Sequence, residues 1–231
     1  MTDFRYFIWM LLFSAVWLVF IFLRRDLLKQ SFSIGAIVAI FTPFIGWWHM
    51  QDYWNPVFAF SFSVGGVVVG AEEVLLGFFL GAISSIAYEV LARKTPVPQR
   101  KPFSVVFPFL LLGIIYMIAA GLVLFAGMNS IYASFVVFGI AAVFLSFLRK
   151  DLIFSSIVSG IAFACILFLS YVLWLEFLFP GTIKSWWLLS NLSGFMVWGV
   201  PAEEIVWGFL WGLVASILYK TWRGLGFQKK T

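Results

Sequence analysis

The stretch GVPAEEIVWGFLWG, from Gly199 to Gly212, contains two adjacent glutamates in a run that is otherwise almost wholly apolar. The same pattern occurs earlier in the chain as VVGAEEVLLGFFLG, from Val68 to Gly81. A buried carboxylate is costly to dehydrate unless it is paired or hydrogen-bonded. The two acidic pairs therefore need an explanation, and their recurrence indicates how the chain is built.

The composition is that of an integral membrane protein. Only 11% of the 231 residues are charged, against roughly 25% in an average soluble domain, and 63% are hydrophobic. Several runs reach the roughly 20 apolar residues that a membrane-spanning helix requires. The first run, from Phe4 to Leu23, lacks a small-residue cleavage site, so we interpret it as a retained helix. The net charge of +5 fits basic loops beside a membrane better than nucleic-acid binding.

We predict an all-α integral membrane fold with seven transmembrane helices. The predicted helices cover residues 5–23, 31–48, 67–92, 103–125, 130–148, 153–176 and 200–222. With this number of helices, thirteen of the fifteen Lys and Arg residues fall on one side, leaving only Arg5 and Lys184 opposite. Because basic loops mark the cytoplasmic side, we expect a multi-pass protein of the cell membrane. Its N-terminus should lie outside, and its tail, residues 223–231, in the cytoplasm.

The chain contains an internal repeat. FLRRDL at 22–27 recurs 125 residues later as FLRKDL, and AEEVLLGFFLGAISSIAY at 71–88 recurs 131 residues later as AEEIVWGFLWGLVASILY. We predict two homologous three-helix units, residues 1–92 and 130–222, joined by a linking transmembrane helix at 103–125. Three spans alone would invert the second unit, and the linking helix restores its direction. The two repeats are therefore expected to be parallel, with their axis near the membrane normal.

The repeat makes the glutamate pairs candidates for proton chemistry. It should bring Glu72 and Glu73 to the same depth as Glu203 and Glu204, across the axis of one elongated cavity. Carboxyl groups within a span usually face the bundle interior and indicate function. A carboxyl group that can give or take a proton is what general acid–base catalysis needs. The structural alternative is that the pairs only hold helices together.

Other chemistries lack the residues they need. The chain has one histidine, His49, and one cysteine, Cys165, so we expect neither a metal site nor an internal disulfide. The sequence has no nucleotide- or flavin-binding fingerprint. A retinal protein would need a lysine near the middle of the last span, whereas Lys220 lies at its end. Membrane proteases of the CAAX-processing class need an Arg after the glutamate pair and separated His residues, which this chain lacks.

Around its glutamate pairs the chain resembles the flavin-independent lycopene cyclase domain family, membrane carotenoid cyclases made of two homologous three-span units. The family pattern is an Asp after the second span, an aromatic outer stretch, and Gly-x-Pro-x-Glu-Glu opening the third span. Asp52, the DYW stretch and Glu72–Glu73 match this pattern in the first unit. Gly199, Pro201 and Glu203–Glu204 match it in the second unit, after KSWW.

Two positions depart from the family pattern. Gly70 stands where the first unit should have its proline, and Glu176 lies near the Asp position of the second unit. These departures leave the substrate open, and another isoprenoid is an alternative to lycopene.

The resemblance implies a carotenoid (lycopene-type) end-group cyclase, an intramolecular lyase or isomerase without a cofactor. A carboxyl group would protonate the terminal double bond of a linear polyene, the next double bond would attack the cation, and a carboxylate would remove a proton. The implied catalytic residues are Glu72, Glu73, Glu203 and Glu204. Because aromatic faces stabilise cations, the expected substrate-binding residues are the motif positions and the nearby tryptophans: Asp52, Trp54, Pro201, Trp198, Trp207 and Trp211.

The residues themselves leave two other functions open. One is a proton-coupled transporter, and the other is a lipid- or isoprenoid-binding membrane protein without catalysis. The expected partners are the bilayer and a hydrophobic polyene or isoprenoid, without nucleic acid, and formation of a homo-oligomer is left open. The aromatic outer connections, residues 49–66 and 177–199, either lie along the membrane surface or fold over the bundle as lids.

Overall fold

The structure of the protein, a computed structural model, describes residues 3–64 and 67–228 and is mostly helical. In these ranges, seven helices are long and apolar enough to cross a membrane. The predicted all-α membrane fold is therefore confirmed. The helices are α1 (Arg5–Leu23), α2 (Leu28–Asp52), α3 (Ala71–Leu91), α4 (Phe107–Ala126), α5 (Ser130–Leu148), α6 (Ile153–Ser170), the short α7 (Thr182–Trp186) and α8 (Ala202–Arg223).

Short pieces of other structure lie at the helix ends. Helix α6 continues as a π-helix, Tyr171–Leu178, and short 3₁₀ turns precede α2 and α6. Six strands form three two-stranded antiparallel sheets, with β1 paired to β2, β3 to β6 and β4 to β5. The strands are β1 (Ser61–Val64), β2 (Val67–Gly70), β3 (Val97–Pro98), β4 (Met196–Val197), β5 (Val200–Pro201) and β6 (Leu225–Gly226).

Three predicted helix starts were too early, and one of them is that of α4, which begins at Phe107 instead of 103. Helix α3 begins at Ala71 instead of 67, and α8 begins at Ala202 instead of 200, because a β-hairpin runs up to each helix. The residues before the helices, Gly70 and Pro201, are extended, with ψ of 129° and 134°. Pro201 is thus the N-cap of α8 and not its first helical residue. Both glutamate pairs consequently lie in a first helical turn.

The second helix is longer than its predicted range of 31–48. Helix α2 begins at Leu28 and continues to Asp52, through Pro43. The sequence from 49 to 52 is polar, so hydropathy alone ends the span before the helix ends. This extension carries His49 and Asp52 on the same helix that forms the wall beside the first glutamate pair.

The two units repeat the same helix contacts. In the first unit α2 packs on α3, and in the second α6 packs on α8. Gly35 lies against the ring and carbonyl of Phe78, and Gly160 lies against the ring and carbonyl of Phe209. These positions correspond under the sequence offsets of 125 and 131. The matched contacts support the repeat, while the parallel orientation of the units in a membrane stays a prediction.

Glycines allow the glutamate-bearing helices to approach their neighbours closely. A Cβ atom added to Gly77 would collide with Thr42, and one added to Gly81 would lie 2.7 Å from Val38. In the second unit, a Cβ atom on Gly212 would lie 2.8 Å from the Cα atom of Gly160. Small residues at such spacings are the usual basis of close helix packing in membranes. These glycines therefore serve close packing of the helices.

At the helix ends remote from the glutamate pairs, two arginines make equivalent contacts. Arg24 Nη1 donates to the carbonyl of Glu89 at 2.7 Å, and Arg149 Nη1 donates to the carbonyl of Lys220 at 3.1 Å. Each arginine also forms an ion pair with the aspartate two residues later. Both basic connections thus fix the ends of α3 and α8 in the same way.

One ion pair joins the two units at this end. Lys220 Nζ lies 2.6 Å from Glu89 Oε1, and both side chains are 0% exposed. Gln30 Nε2 donates to the same carboxylate oxygen at 2.9 Å. Glu89 and Lys220 occupy equivalent positions of the repeat, 131 residues apart. The pair is therefore a contact between α3 and α8. At this duplicated position the first unit has a glutamate and the second has a lysine, so the two equivalent residues carry opposite charges.

We expect the substitution Lys220→Met to destabilise the protein strongly, because it leaves the buried Glu89 carboxylate without its cation. Loss of one partner of a buried ion pair typically costs about 3–5 kcal/mol. The double variant Glu89→Leu, Lys220→Met should recover most of this loss, since it removes both charges. Unfolding of the purified protein in detergent measures the difference.

The matched control is Lys184→Met, because Lys184 is an exposed lysine in the outer connection. Its unfolding should follow that of the wild type. Equal stabilities of the single and double variants at 89 and 220 would contradict the assigned role of the pair.

Candidate active site

The two glutamates of each pair face different surroundings. Both pairs lie in the first turn of their helix and are buried. Neighbouring residues of an α-helix point about 100° apart. The second member of each pair, Glu73 or Glu204, lines one chamber between the two units. The first member, Glu72 or Glu203, is turned toward the outer connection of its own unit.

The first members hold the outer connections in place. Glu72 accepts hydrogen bonds from the backbone N–H groups of Ala59, at 2.5 Å, and Phe60, at 3.2 Å. Glu203 accepts from the backbone N–H of Ser193 at 2.8 Å and from the Tyr132 hydroxyl at 3.0 Å. In both units the carboxylate thus binds backbone of the segment that precedes its helix. These contacts indicate a positioning role for the first glutamate.

Glu204 is surrounded by hydrogen-bond donors. The hydroxyl of Tyr171 donates to Oε2 at 2.5 Å, and the indole N–H of Trp187 donates to Oε1 at 2.6 Å. The hydroxyl of Tyr53 also donates to Oε1. Trp187 and Tyr171 belong to the second unit, whereas Tyr53 belongs to the first. This carboxyl group therefore has both oxygens bonded and connects the two units.

Glu73 has a different environment. Its Oε2 atom is buried and has no hydrogen-bond partner among the described residues. The carboxyl group lies directly against Gly46, where an added Cβ atom would collide with it. Gly46 corresponds to Tyr171 under the 125-residue offset. The first unit thus has a glycine where the second has a tyrosine donor, and the space that the glycine leaves is occupied by Glu73.

The chamber that contains Glu73 and Glu204 is aromatic. Helices of both units contribute to its walls, with α1, α2 and α3 from the first and α5, α6 and α8 from the second. Its aromatic lining consists of Tyr6, Trp9, Tyr53, Trp54, Tyr171 and Trp207. Such walls can exclude water and present negative π-faces to a cation.

A lid formed by the connection at 177–199 covers the chamber. The backbone N–H of Asn55 donates to the carbonyl of Trp186 at 2.6 Å, and that of Leu188 donates to the carbonyl of Tyr53 at 2.9 Å. The two outer connections are therefore bonded to one another. Of the two predicted arrangements, the structure shows the connection at 177–199 folded back over the bundle.

The lid is also anchored to α1. Arg5 Nη1 donates to the Thr182 hydroxyl, at the start of α7, at 3.1 Å. Hydrogen bonds from the Arg5 side chain also hold the pKa of Asp3 below its ordinary value. The carboxylate of Asp3 thus stays charged and keeps the guanidinium at the edge of the lid.

A hydrogen-bonded chain leads from Asp52 to the chamber. The Ser130 hydroxyl lies 2.5 Å from Asp52 Oδ1 and 2.8 Å from His49 Nδ1. A carboxylate only accepts hydrogen bonds, so the single hydroxyl proton of Ser130 goes to Asp52, and His49 Nδ1–H donates to Ser130. The neutral imidazole consequently has an unprotonated Nε2. The ring of His49 lines the chamber.

The other predicted substrate-binding residues are distributed more widely. Trp54 and Trp207 line the chamber, and Trp211 lines a second cavity beside it. Pro201 is buried in front of α8, where it positions Glu203 and Glu204 without lining either cavity. Trp198 is 77% exposed and packs on Phe168, with ring centroids 6.1 Å apart. The structure does not bring Trp198 to the chamber.

Several residues of the site were not predicted from the sequence. They are Tyr53, Tyr171 and Trp187, which donate to Glu204, and His49, whose ring lines the chamber. The signal available for Tyr53 and Trp187 was their place in the aromatic stretches DYW and KSWW. A buried Tyr or Trp usually finds a hydrogen-bond partner. A carboxyl group in the same apolar bundle is the partner that this rule suggests.

These features define the class of protein. It is a multi-pass membrane protein with seven apolar helices, and two carboxyl groups from repeated helices share an aromatic chamber. In the described ranges no group of three potential metal-ligating side chains occurs.

Residues 129–222 match the family model of lycopene cyclase. The second unit of the chain is therefore similar to the lycopene cyclase family. Comparison with curated proteins and with solved structures gave no significant match.

We expect His49 to be the Nδ1–H tautomer. The chain has a single histidine, so ¹⁵N NMR of histidine-labelled protein gives its two ring nitrogens without ambiguity. At about two pH units above the ordinary histidine pKa of about 6.5, Nδ1 should carry the proton and Nε2 should not. In Ser130→Ala the acceptor for this proton is lost, and the tautomer equilibrium should shift.

Ser134→Ala is the matched control, because the Ser134 hydroxyl binds the carbonyl of Ser130 and not the histidine. It should leave the two nitrogen signals as they are. A proton found on Nε2 in the wild type would show that the direction assigned to the Asp52–Ser130–His49 chain is wrong.

Proposed function

We propose that the protein is a carotenoid (lycopene-type) end-group cyclase, an intramolecular lyase or isomerase that acts on a linear polyene inside the membrane. The observation that carries the proposal is that Glu73 and Glu204 line one aromatic chamber. The family match to residues 129–222 supports the same type of reaction. Cyclisation is redox-neutral, so the chemistry requires only an acid, a base and protection from water.

The reaction starts with transfer of a carboxyl proton to the terminal carbon–carbon double bond of the substrate. The tertiary cation that results is attacked by the electron pair of the next double bond, which closes the ring and moves the positive charge onto it. A carboxylate then removes a ring proton, and a new double bond forms. One proton is added and one is lost, so the product is an isomer of the substrate.

The hydrogen bonds suggest a different role for each glutamate. Glu204 accepts three hydrogen bonds, and such bonds stabilise a carboxylate. Glu73 Oε2 is buried and has no partner in the described ranges, an arrangement suited to a neutral carboxyl group. We therefore assign Glu73 as the proton donor and Glu204 as the acceptor. Glu72 and Glu203 are positioning residues that fix the helix starts.

Aromatic walls make the cationic steps feasible. Each ring face that meets a cation in a dehydrated site contributes about 0.5–2 kcal/mol. Trp54, Trp207 and Tyr6 are among the chamber residues that can present such faces. Water would capture the cation as an alcohol, so the lid at 177–199 serves the reaction by keeping the chamber closed.

The orientation of the chain in the membrane is part of the proposal. We infer that the N-terminus lies outside and the C-terminus in the cytoplasm, because the basic connections lie at the helix ends remote from the glutamate pairs. The chamber then lies in the outer half of the bilayer. A polyene substrate that is dissolved in the lipid has direct access to this depth.

Expression of the wild type in lycopene-producing cells should convert the linear pigment into cyclic carotenoids, which pigment chromatography detects. Glu73→Gln and Glu204→Gln should each reduce turnover by about 10²–10⁴-fold, since each removes one partner of general acid–base catalysis. Unaltered lycopene in cells that contain folded wild-type protein would contradict the proposed function.

Glu72→Gln is the matched comparison for Glu73→Gln, because it makes the same chemical change at the neighbouring residue. We expect Glu72→Gln to lower the unfolding temperature through weaker bonds to Ala59 and Phe60, while the folded protein keeps most of its turnover. Full activity of Glu73→Gln with loss of activity in Glu72→Gln would reverse the assignment within the pair.

A further inference from the structure

A second cavity adjoins the chamber and has no assigned role. It lies between α2, α4, α5 and α8. The linking helix α4 contributes Leu112, Ile115, Tyr116, Ala119 and Val123 to its wall. These residues lie three or four positions apart, except for the adjacent pair Ile115 and Tyr116, so they form one face of the helix.

The walls of this cavity favour an apolar ligand. In the described ranges they contain no charged side chain. Most hydrogen-bonding side chains of the wall are already used within the protein. Thr42 donates to the carbonyl of Val38 at 2.9 Å, Ser134 donates to the carbonyl of Ser130 at 2.9 Å, and Trp211 donates to the carbonyl of Leu80 at 3.4 Å.

The indole N–H of Trp48 is not used in this way. This group is buried and has no partner in the described ranges, and its ring is stacked on Tyr116 with centroids 4.3 Å apart. An N–H group of this kind can point at the π-electrons of a bound ligand. A conjugated hydrocarbon satisfies it, whereas a saturated lipid chain does not.

The cavity lies beside the candidate active site and shares part of its wall. Six residues line both spaces, and they are Thr42, Ile45, His49, Gly77, Leu80 and Trp207. Gly77 and Trp207 stand in the turn after Glu73 and Glu204, one on each glutamate helix. A long ligand whose end lies beside the two carboxyl groups therefore has a path past these residues toward α4.

We propose that the second cavity binds the conjugated hydrocarbon chain of the substrate whose end group lies in the chamber. The linking helix is then part of the substrate site and not only a connection between repeats. This inference rests on the proposed cyclase function. It adds the location of the chain, the unsaturated class of ligand and the α4 residues that select it.

A matched pair of substitutions on α4 tests the proposal. Ala119 lines the cavity, whereas its neighbour Ile118 lies on the opposite, lipid-facing side of α4. Ala119→Trp should fill the cavity and reduce cyclisation of the full-length polyene by about tenfold or more, as overpacking of a closed site does. Ile118→Trp should behave as the wild type.

A truncated polyene that carries the same end group separates the two sites. It occupies only the chamber, so the Ala119→Trp variant should cyclise it at the wild-type rate. If the wild-type protein converts neither substrate, the proposed cyclase function itself is wrong. If the Ala119→Trp variant cyclises the full-length polyene at the wild-type rate, the second site is wrong, while the proposed cyclase function stands.

A binding measurement keeps the test independent of turnover and of the tryptophan variants. A photoactivatable diazirine side chain of leucine size at position 112, where Leu112 lines the cavity, should cross-link to the full-length polyene in the Glu204→Gln background. The same group at position 110, where Leu110 lies on the other face of α4, should cross-link to bilayer lipid instead. Equal cross-linking of the polyene from both positions would overturn the proposal.

Discussion

A carboxyl group enclosed in an apolar bundle must find its hydrogen-bond donors within the protein, because the surroundings offer no water. Glu204 meets this requirement with one donor from the first unit, Tyr53, and two from its own unit, Tyr171 and Trp187. The requirement therefore fixes more than one side chain. It brings the outer connections together, closes the chamber, and holds the end of α2 against the start of α8.

Duplication supplies two carboxyl groups at equivalent positions, and divergence gives them different surroundings. Tyr171 of the second unit donates to Glu204, but its equivalent in the first unit is Gly46, which offers no donor and leaves room for Glu73. At the other end of the same helices, the equivalent positions hold Glu89 and Lys220, which pair with one another. Two identical halves would place like groups opposite each other in both places. The differences between the units thus make an acid–base pair and an ion pair possible.

The parts of the fold that follow from chain composition could be predicted. Hydropathy locates the spans because a bilayer demands about 20 apolar residues in each helix, and the repeated sequence at 71–88 identifies the equivalent helices. Hydropathy does not report where a helix starts within a polar or aromatic stretch, so the hairpins before α3 and α8 and the extension of α2 to Asp52 were missed. These errors matter, because they decide which residues stand in the first turn.

The directions of the side chains at the site could not be predicted from the sequence, for a related reason. Adjacent glutamates differ by about 100° around the helix, but which of the two faces inward depends on where the helix begins and on what the outer connection binds. Glu203 is turned away because the backbone of Ser193 and the hydroxyl of Tyr132 hold it. Trp198 is a second example of a side chain whose direction depends on the connection before the helix. It precedes the glutamates closely in sequence, but the hairpin of β4 and β5 turns its ring toward Phe168.

The linking helix shows how loose packing can serve a membrane enzyme. Lipid is as apolar as a helix surface, so helices in a membrane associate closely only where small residues or polar bonds favour it. The glycines of α3 and α8 lie directly against atoms of neighbouring helices. Helix α4 packs mainly on α5 and makes few contacts with α2 and α8, and the apolar cavity lies between these helices. For the proposed polyene substrate, which would reach the protein from the bilayer, a weakly held wall beside the lipid offers an entry that does not require the lid over the carboxyl groups to open.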